Sequence, residues 1–415
     1  MNKSNNITEL LKGVEVDWKA LSSVAQYVRG LTYNKKNESN NSIGYKVLRA
    51  NNITLSNNTL NFNDVKIINL DTKVKDTQKL YKNDILISAA SGSREHVGKV
   101  AFITNDIDYY FGGFMGVIRT SNKISPRYLF HILTSEIFQN YLNEMLNSST
   151  INNLSSKIIE GFQIPIPPLH IQTEIVRILD TFTALTAELT AELTAELTAR
   201  KKQYNYYRDK LLTFQEDEVE WKALESITLP TSNIRWKETD RIYKYIDLTS
   251  VSRETKSIIG TTEITAINAP SRAQKVVEEN DVIFATTRPT LQRFTLIEKE
   301  FSENIASTGY CVLRANRNYI LPKWIYYNIS STRFNNYVNE NQSGTAYPSI
   351  SDAKVKQFKI PIPPLKEQAR IVEILDKFDA LTNSITEGLP REIALRQKQY
   401  EYYRNLLLDF PKVQE

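Results

Sequence analysis

The 415-residue sequence has one cysteine, three histidines and no long apolar run. The single cysteine, Cys311, excludes an internal disulfide framework and a zinc site built from several cysteines. Scattered histidines (His96, His131 and His170) argue against a histidine-rich metal centre, so we expect no bound metal. No apolar stretch approaches the roughly 18–20 residues that a membrane helix needs, and the N-terminus, MNKSNNITELLKG, lacks the apolar core of a signal peptide. We therefore expect a cytoplasmic protein that does not contact a membrane.

Motifs for catalysis are also scarce. The segment SGSREHVGKV (residues 91–100) resembles a phosphate-binding loop, but five residues rather than four separate Gly92 from Gly98. Val100 stands where such a loop carries the Ser or Thr that binds magnesium. The two PPL tripeptides lack the Asn/Asp-Pro-Pro-Tyr/Phe form of amino-methyltransferases, and no acidic cluster typical of a nuclease stands out. We predict that the chain is not an enzyme and binds no cofactor of its own.

What the sequence does contain is a basic charge with an uneven distribution. Hydrophobic residues make up 41% and charged residues 24%, a profile typical of a folded globular protein. Residues 16–163 carry a net charge of +5, residues 221–359 also carry +5, and the rest of the chain carries −5. Ordinary surface variation can produce such a difference. Two basic blocks also favour two separate modules that bind a polyanion.

An internal repeat with an offset of 196 residues organises the chain. IPIPPLHIQTEIVRILDTFTALT (Ile164–Thr186) matches IPIPPLKEQARIVEILDKFDALT (Ile360–Thr382). The same offset carries KQYNYYRDKLLTF (Lys202–Phe214) onto KQYEYYRNLLLDF (Lys398–Phe410). The layout is therefore variable block, shared segment, variable block, shared segment. Short echoes predict one fold for both blocks: VDWKAL (Val16–Leu21) with VEWKAL (Val219–Leu224), NDILISAA (Asn83–Ala90) with NDVIFATT (Asn280–Thr287), and GFMGVIR (Gly113–Arg119) with TGYCVLR (Thr308–Arg314).

The shared segments predict helices, and the blocks predict mixed domains. Prolines hold the entry to each shared segment extended, and a helix can begin just after them. Inside the blocks, short β-branched and aromatic runs separated by Asn, Gly and Ser predict an irregular β component, with short helices near 126–146 and 322–338. The apolar residues at helical spacing are Ile175, Ile178, Leu179, Phe182 and Leu185 in the first copy, and Ile371, Ile374, Leu375, Phe378 and Leu381 in the second.

The first shared helix contains a tandem repeat, TAELTAELTAEL, at Thr186–Leu197. Leucines at this spacing are usually only core, but matched apolar stripes also predict two helices that pack along their lengths. Each four-residue unit lengthens a helix by about 6 Å and rotates it by about 40°, while one base pair of B-DNA advances about 3.4 Å and rotates about 34–36°. The repeat therefore predicts a ruler that adds about one base pair per unit. The two stripes are Leu185, Leu189, Leu193 and Leu197, and Leu381, Ile385, Leu389 and Ile393.

The bipartite layout, the PIPPL entry, the TAEL tandem and the KQYxYYR helix together resemble the specificity subunits of type I restriction–modification enzymes, particularly those whose spacer length follows the number of TAEL units. The resemblance implies two target recognition domains, each reading half of a split site in double-stranded DNA. It implies paired helices that space these domains and dock two methyltransferase subunits, which use S-adenosylmethionine. It also implies restriction subunits that use ATP and magnesium. One departure is Gly388-Leu389-Pro390, which predicts a break in the second helix.

Together these features predict an α+β fold: two mixed α/β target recognition domains, joined and spaced by two long antiparallel helices, with a pseudo-twofold internal repeat. The predicted segments are residues 1–163 (first recognition domain with an N-terminal extension), 164–215 (spacer helix with TAEL repeats), 216–359 (second recognition domain) and 360–415 (second helical region).

Base recognition most often pairs Arg with guanine and Asn or Gln with adenine, whereas Lys and hydroxyl side chains often bind phosphates. We therefore predict DNA contacts from residues of both blocks, although a solvated surface charge is the simpler explanation for any one of them. The loops Ser148–Thr150 and Gln342–Thr345 are expected to contact the DNA backbone. The candidates are Lys46, Arg49, Asn51, Asn52, Arg94, Lys99 and Arg119 in the first block, and Arg241, Lys244, Arg272, Arg288 and Arg293 in the second.

Two other functions stay open at this point. A helical scaffold that binds only proteins would not need basic blocks, and would show only weak, non-specific affinity for DNA. Salt-dependent binding to random and genomic DNA separates that function from sequence reading. A specificity subunit of a related multi-subunit restriction system, with a different nuclease partner, would have almost the same sequence features.

Overall fold

The computed structural model describes residues 10–39, 43–147, 153–383 and 388–411. Its contacts divide the chain into two units: a first unit of residues 1–188 with 396–415, and a second unit of residues 189–395. Each unit contains one variable block together with parts of both shared segments. The four segments predicted from the sequence follow sequence pattern rather than contacts, and they remain a prediction. In the described part of the chain, no helix is both long enough and apolar enough to cross a membrane.

The first unit contains a four-stranded sheet of order β2-β10-β7-β8, a three-stranded sheet β6-β3-β9 and two short ribbons, β1-β11 and β4-β5. Its strands are β1 (Asp17–Ala20), β2 (Ala25–Arg29), β3 (Tyr45–Leu48), β4 (Ile53–Thr54), β5 (Thr59–Leu60), β6 (Lys66–Ile68), β7 (Ile85–Ser88), β8 (Val100–Phe102), β9 (Tyr110–Phe111), β10 (Met115–Thr120) and β11 (Gln163–Ile166). Its helices are α1 (Pro126–Leu133), α2 (Glu136–Asn147), α3 (Ser156–Gly161) and the first part of α4 (Leu169–Leu211).

The second unit repeats this plan with two four-stranded sheets, β13-β20-β17-β18 and β15-β14-β19-β16, and a ribbon β12-β21. Its strands are β12 (Glu220–Ala223), β13 (Thr228–Leu229), β14 (Tyr243–Ile246), β15 (Thr262–Ile264), β16 (Ala273–Val277), β17 (Val282–Ala285), β18 (Phe294–Leu296), β19 (Asn304–Ser307), β20 (Tyr310–Ala315) and β21 (Lys359–Ile362). Its helices are α5 (Leu224–Ile227), α6 (Pro322–Ser330), α7 (Thr332–Asn341), α8 (Asp352–Gln357), α9 (Leu365–Asn383) and the start of α10 (Gly388–Leu408), whose end belongs to the first unit.

In each unit, one central strand of a four-stranded sheet (β7 in the first unit, β17 in the second) is buried on both faces. This burial explains its continuous apolar sequence. In β7, Ile85 and Ile87 pack against the helices, while Leu86 joins a separate cluster on the other face. In β17, Val282 and Phe284 face the helices, and Ile283 and Ala285 face the other cluster. Side chains alternate between the faces of a strand, so the shared motifs NDILI and NDVIF mark the strand on which each unit is built.

The short repeated motif before each block forms a strand that pairs with the segment after that block. β1, from VDWKAL, pairs antiparallel with β11, so that Trp18 lies opposite Pro165. β12, from VEWKAL, pairs in the same way with β21, so that Trp221 lies opposite Pro361. A short segment before the block and the PIP segment after it therefore form one ribbon, which explains why both recur in the sequence.

Each block packs against the start of one shared helix and the end of the other. The core of the first unit includes Ile175 and Leu179 of α4 together with Leu407 and Leu408 of α10. The core of the second unit includes Ile371 and Leu375 of α9, and Tyr204 and Leu212 from the end of the first shared segment. At the 196-residue offset, Ile175, Leu179 and Leu408 correspond to Ile371, Leu375 and Leu212, so the predicted internal repeat is confirmed.

The helices run antiparallel where they pair. In the first unit, the rings of Phe182 and Tyr403 lie 5.5 Å apart, and Thr183 Oγ1 lies 2.9 Å from the Tyr400 hydroxyl. In the second unit, Tyr207 stacks on Phe378 at 6.0 Å. The predicted fold class, with mixed domains and antiparallel shared helices, is confirmed.

The predicted break in the second helix is present, whereas α4 is continuous over 43 residues. The second helical region contains α9 (Leu365–Asn383) and α10 (Gly388–Leu408), and residues 384–387 lie outside the described residues. Gly388 has φ +72°, and a Cβ atom there would lie 2.6 Å from the carbonyl oxygen of Leu381. Only glycine fits this position without strain.

The ladder leucines of α4 are not core residues. Leu185 is 54% exposed, and Leu189, Leu193 and Leu197 are half-buried. Their burial differs from that of the fully buried Ile175 and Leu179 nearer the start of α4, because those residues pack against a block. Ile385, which the sequence placed in the matching stripe, lies outside the described residues.

Candidate nucleic-acid interface

The residues predicted to contact DNA divide into those that hold the fold together and those that face solvent. Arg119 belongs to the first group. Its guanidinium makes a bidentate ion pair with the buried Asp84, with both N–O distances 2.9 Å, and donates to the carbonyls of Thr77 and Lys79. Arg314 forms the same pair with Asp281 in the second unit. This geometry favours a structural role for Arg119 rather than the predicted base contact.

Asn52 is also structural. It is fully buried, its side-chain oxygen accepts from the amide of Arg49, and its side-chain nitrogen donates to the carbonyls of Asn61 and Asn63. These bonds hold the connection after β3, because a buried amide must satisfy its donors and acceptor locally. A base edge would have to displace them, so the geometry does not favour the predicted contact for Asn52.

Other candidates of the first unit meet at one end of its sheet. The end of β7, the start of β8 and the start of β10 are adjacent, since Ser88 pairs with Met115 and Ile87 with Val100. The exposed Arg94 follows β7, and the half-buried Lys99 precedes β8. Arg49 lies at the same end, because β3 runs parallel to β9 and Gly112 donates to the carbonyl of Leu48.

A cleft of about 780 Å³ opens at this end, which we call the first-unit cleft. Arg49 and Asn51 line it, and both contact the Asp64 carboxylate, at 2.6 and 3.3 Å. Sequence reasoning missed three other residues that line it: the exposed Arg29, Tyr33 and the 72% exposed Phe114. Phe114 is held by its backbone carbonyl, which accepts from the amides of Ala89 and Ala90. Lys46 does not line the cleft; it is exposed on β3, with its ammonium 5.4 Å from the Tyr109 ring.

In the second unit, three of the five candidates meet at the equivalent end of the sheet. Arg288 follows β17, and the amide of Ala285 donates to the carbonyl of Arg293. Arg272 precedes β16, and its carbonyl accepts from the amide of Thr308, just before β20. Arg272 and Arg288 are exposed, whereas the half-buried Arg293 donates to the carbonyl of Val251.

Arg241 and Lys244 do not join this group. Arg241 forms an ion pair with Glu303 at 3.1 Å, and the amide of Lys244 donates to Asn304. Glu303 and Asn304 stand at the start of β19, whereas Arg272 lies beside its end. The structure therefore places these two candidates at the opposite end of that sheet from Arg272 and Arg288.

One aromatic side chain at the second-unit site was missed by sequence reasoning. Tyr347 is 71% exposed, and the Arg288 guanidinium lies over its ring at 5.0 Å from the centroid. A lone tyrosine within the small polar stretch QSGTAYPS was the available signal. The predicted backbone-contacting loop Gln342–Thr345 ends two residues before Tyr347. Its predicted counterpart, Ser148–Thr150, lies outside the described residues.

Two residues of types often used for chemistry, His131 and Cys311, are buried in the fold. Burial lowers the pKa of His131, although its Nε2 lies 2.8 Å from an Asp180 carboxylate oxygen that raises it. Burial raises the pKa of the Cys311 thiol to about 12, so its reactive thiolate is scarcely populated. Among the described residues, no group of three or more His, Cys, Asp or Glu side chains could hold a metal ion.

Comparison with protein families matches the type I restriction modification DNA specificity domain over residues 14–199 and 224–395. The chain belongs to this family. The specificity subunit of the EcoR124I/EcoR124II type I restriction enzyme from Escherichia coli is 41% identical over 284 residues, which cover 63% of this chain and 65% of that relative. A putative type I restriction enzyme specificity subunit from Haemophilus influenzae, S.HindORF215P, is 32% identical over 99% of both chains.

The fold of this specificity-family chain also has a solved counterpart. A protein from work on complex assembly and conformational transition of the type I R-M system covers 96% of this chain and 98% of its own, with a TM-score of 0.65 and 15% identity. At this identity the likeness concerns the fold alone.

The shared helices of this family member carry exposed apolar residues at repeat-equivalent positions. Tyr206 and Tyr402 are both 62% exposed, and Leu169 and Leu365 are 53% and 40% exposed. In the first unit, Tyr402 borders a groove of about 590 Å³ between α2 and the end of α10. Large apolar side chains kept in solvent at matched places are typical of a surface that binds a partner.

Proposed function

We propose that the chain is the DNA-reading specificity subunit of a type I restriction–modification complex, in which each unit reads one half of a bipartite site. The observation that carries this proposal is the matched sheet end. In the first unit it holds Arg94, Lys99 and Phe114, and in the second Arg272, Arg288 and Tyr347. Cationic side chains that bind phosphates and base edges, beside exposed aromatic rings, suit a nucleic-acid surface.

The proposal assigns the spacing of the half-sites to the shared helices. α4 alone is about 65 Å long at 1.5 Å per residue, and it is continuous through the TAEL units. A continuous helix transmits both a distance and an angle from its first residue to its last. The length of the unread spacer would then depend on the number of four-residue units.

The proposal also assigns the chemistry to partners. Two methyltransferase subunits would bind the repeat-equivalent faces of the helices and methylate adenine in each half-site with S-adenosylmethionine. Restriction subunits using ATP and magnesium would join that assembly. In this proposal the chain itself binds none of these cofactors. Its free energy of binding to DNA selects the site. The repetition of Tyr206 as Tyr402 and of Leu169 as Leu365 supports two copies of one partner.

The proposal is tested by mapping methylated adenines in cells that express this chain with its methyltransferase subunit. We expect one motif made of two short defined sequences and a gap of fixed length. We also expect the purified complex to bind that duplex far more tightly than random DNA, with an affinity that falls steeply as salt increases. A protein-binding scaffold would give no motif and only weak binding to either duplex, and that result would refute the proposal.

Substitution of the repeat-equivalent tyrosines should change the number of methyltransferase subunits bound. Replacement of a central aromatic anchor in an interface commonly costs about 2 kcal/mol, or about thirtyfold in affinity. We therefore expect Tyr402→Ala to release one methyltransferase subunit and Tyr206→Ala to release the other, each giving a one-to-one complex by native mass spectrometry.

The double variant should bind neither copy at the same concentration. Ile267→Ala is the control, because Ile267 is 98% exposed and belongs to the loop between β15 and β16 rather than to a shared helix. Full two-to-one binding by both single variants and by the double variant would show that these faces do not bind the partner.

A further inference from the structure

Arg288 differs from Arg241 and Arg293, two of the other three candidate arginines of the second unit, in what its guanidinium contacts. Arg241 is paired with Glu303, and Arg293 donates to the carbonyl of Val251. Within the described part of the chain, the Arg288 guanidinium makes no hydrogen bond or ion pair. It lies over the Tyr347 ring, 5.0 Å from the centroid. The exposed Arg288 side chain therefore has unpaired donors and an aromatic ring next to its guanidinium carbon.

The backbone around this pair is rigidly held. Arg288 has φ +48° and ψ +55°, a left-handed conformation uncommon for a residue other than glycine. It persists because the amide of Arg288 donates to the carbonyl of Pro348 at 2.7 Å, which joins the loop after β17 directly to the residue after Tyr347. The amide of Ile350 donates to the carbonyl of Thr286 on the same two segments. Costly backbone geometry of this kind is often found at binding sites.

The loop that carries Tyr347 is closed on itself. Ser343 and Ser349 exchange two backbone hydrogen bonds of 2.8 Å. Gly344 has φ +92°, and a Cβ atom there would lie 3.1 Å from the carbonyl oxygen of Tyr347. The main chain on both sides of Tyr347 is therefore fixed, although its side chain is 71% exposed. The exposed Tyr347 ring therefore projects from a fixed main chain, and the Arg288 guanidinium lies over it.

We propose that Tyr347 is a positioning residue that holds the Arg288 guanidinium in one plane for bidentate recognition of a guanine in the half-site read by the second unit. This inference rests on the proposed function. A planar guanidinium with free edge donors matches the O6 and N7 acceptors of guanine in the major groove. Stacking on a ring fixes the plane before DNA binds, which reduces the side-chain entropy lost on binding.

A phosphate contact would have different requirements. Lysine binds phosphate as a point charge and needs no fixed plane. If Arg288 only neutralised a phosphate, Arg288→Lys would keep most of its effect and Tyr347 would hardly matter. If Arg288 reads guanine, Arg288→Lys and Tyr347→Ala should act alike, and Tyr347→Phe should retain the wild-type behaviour.

The first experiment maps methylated adenines for the full chain with its methyltransferase subunit, in wild type and variants. We expect Arg288→Lys and Tyr347→Ala to relax one guanine position in one half-site by about tenfold, with the other half-site and the gap unchanged. Tyr347→Phe should give the wild-type motif. Tyr319→Ala is the matched control, because Tyr319 is 50% exposed and lies 5.4 Å from the Lys222 ammonium, which is another cation–aromatic pair of this unit.

A second measurement uses the wild-type motif in a duplex whose guanine at that position is replaced by 7-deazaguanine. This change removes the N7 acceptor and leaves every phosphate in place. The wild-type complex should lose about tenfold in affinity, whereas Arg288→Ala and Tyr347→Ala should bind both duplexes alike. Melting curves of the variants show whether a lost preference reflects unfolding.

The outcomes separate this inference from the function on which it rests. Absence of any split motif in wild type would overturn the proposed function and with it this inference. A clear wild-type motif that Tyr347→Ala and Arg288→Lys leave unchanged would overturn the inference alone. So would a uniform loss of affinity without a change at any base, which is the result expected from a phosphate contact. Equal effects of Tyr347→Phe and Tyr347→Ala would show that stacking is not what matters.

Discussion

Deletion of one TAEL unit, Thr190–Leu193, should shorten the gap of the methylated motif by about one base pair and leave both half-sites unchanged. The deletion removes about 6 Å and about 40° of rotation from the continuous helix α4. Binding to the original spacing would require distortion of DNA or protein, and DNA deformation of this kind costs on the order of 1–6 kcal/mol. Methylation of the original motif should therefore fall by tenfold or more.

The measurement is the same mapping of methylated adenines, compared between the full-length chain and the deletion. Thr194→Ala is the control, because it removes the hydroxyl bond to the carbonyl of Thr190 without changing the helix length. We expect the control to keep the original motif. Undiminished methylation at the original spacing by the deletion variant would show that α4 does not set the gap.

Arg119→Ala should destabilise the first unit strongly, rather than simply weaken a DNA contact. The substitution leaves the Asp84 carboxylate, whose side chain is only 4% exposed, without its bidentate partner. Removal of one member of a buried ion pair typically costs about 3–5 kcal/mol. For a unit of this size we expect the melting temperature to fall by about 10 °C, as followed by circular dichroism and by limited proteolysis.

Lys99→Ala is the matched comparison, because Lys99 is half-buried at the opposite end of the same sheet and forms no ion pair in the described regions. It should change the melting temperature by less than about 2 °C and lower affinity for specific DNA. The reverse pattern, in which Arg119→Ala is as stable as wild type but deficient in DNA binding, would show that Arg119 contacts DNA rather than supporting the fold.

The shared framework of the fold was predictable because the sequence segments that form it occur twice in the chain. The 196-residue offset identified the helices and the proline entries, and the shorter matches inside the blocks identified the strands carried by NDILI and NDVIF. The break before Pro390 was predictable because glycine readily adopts the left-handed conformation found at helix ends, and proline, which lacks an amide donor, fits the first turn of a helix. The same duplication offered a signal that was not used: Arg119 and Asp84 recur as Arg314 and Asp281. A charged pair present in both copies is more typical of the framework than of a surface that must differ between them.

The candidate site was less predictable, because the sequence alone does not show whether a charged side chain is paired or free. Asn52 and Asn51 are neighbours in sequence, yet one is fully buried in loop hydrogen bonds and the other lines a cleft. Arg288 and Arg293 are five residues apart, and only Arg293 donates to a backbone carbonyl through its side chain. Such differences depend on chain segments that are distant in sequence, such as the contact of Tyr347 with Arg288.

The contribution of both shared helical regions to each unit has a consequence for folding during translation. Most of the first unit is translated before the second, but Leu407, Leu408 and Phe410 of its core come from α10 and the residues just after it, which follow the second block. During translation, the apolar surface around Ile175 and Leu179 of the first unit lacks its contacts with α10 until the whole second block has been synthesised. The unit whose translation begins first is therefore completed only after the second block has been translated, so its N-terminal portion depends on residues that are synthesised much later.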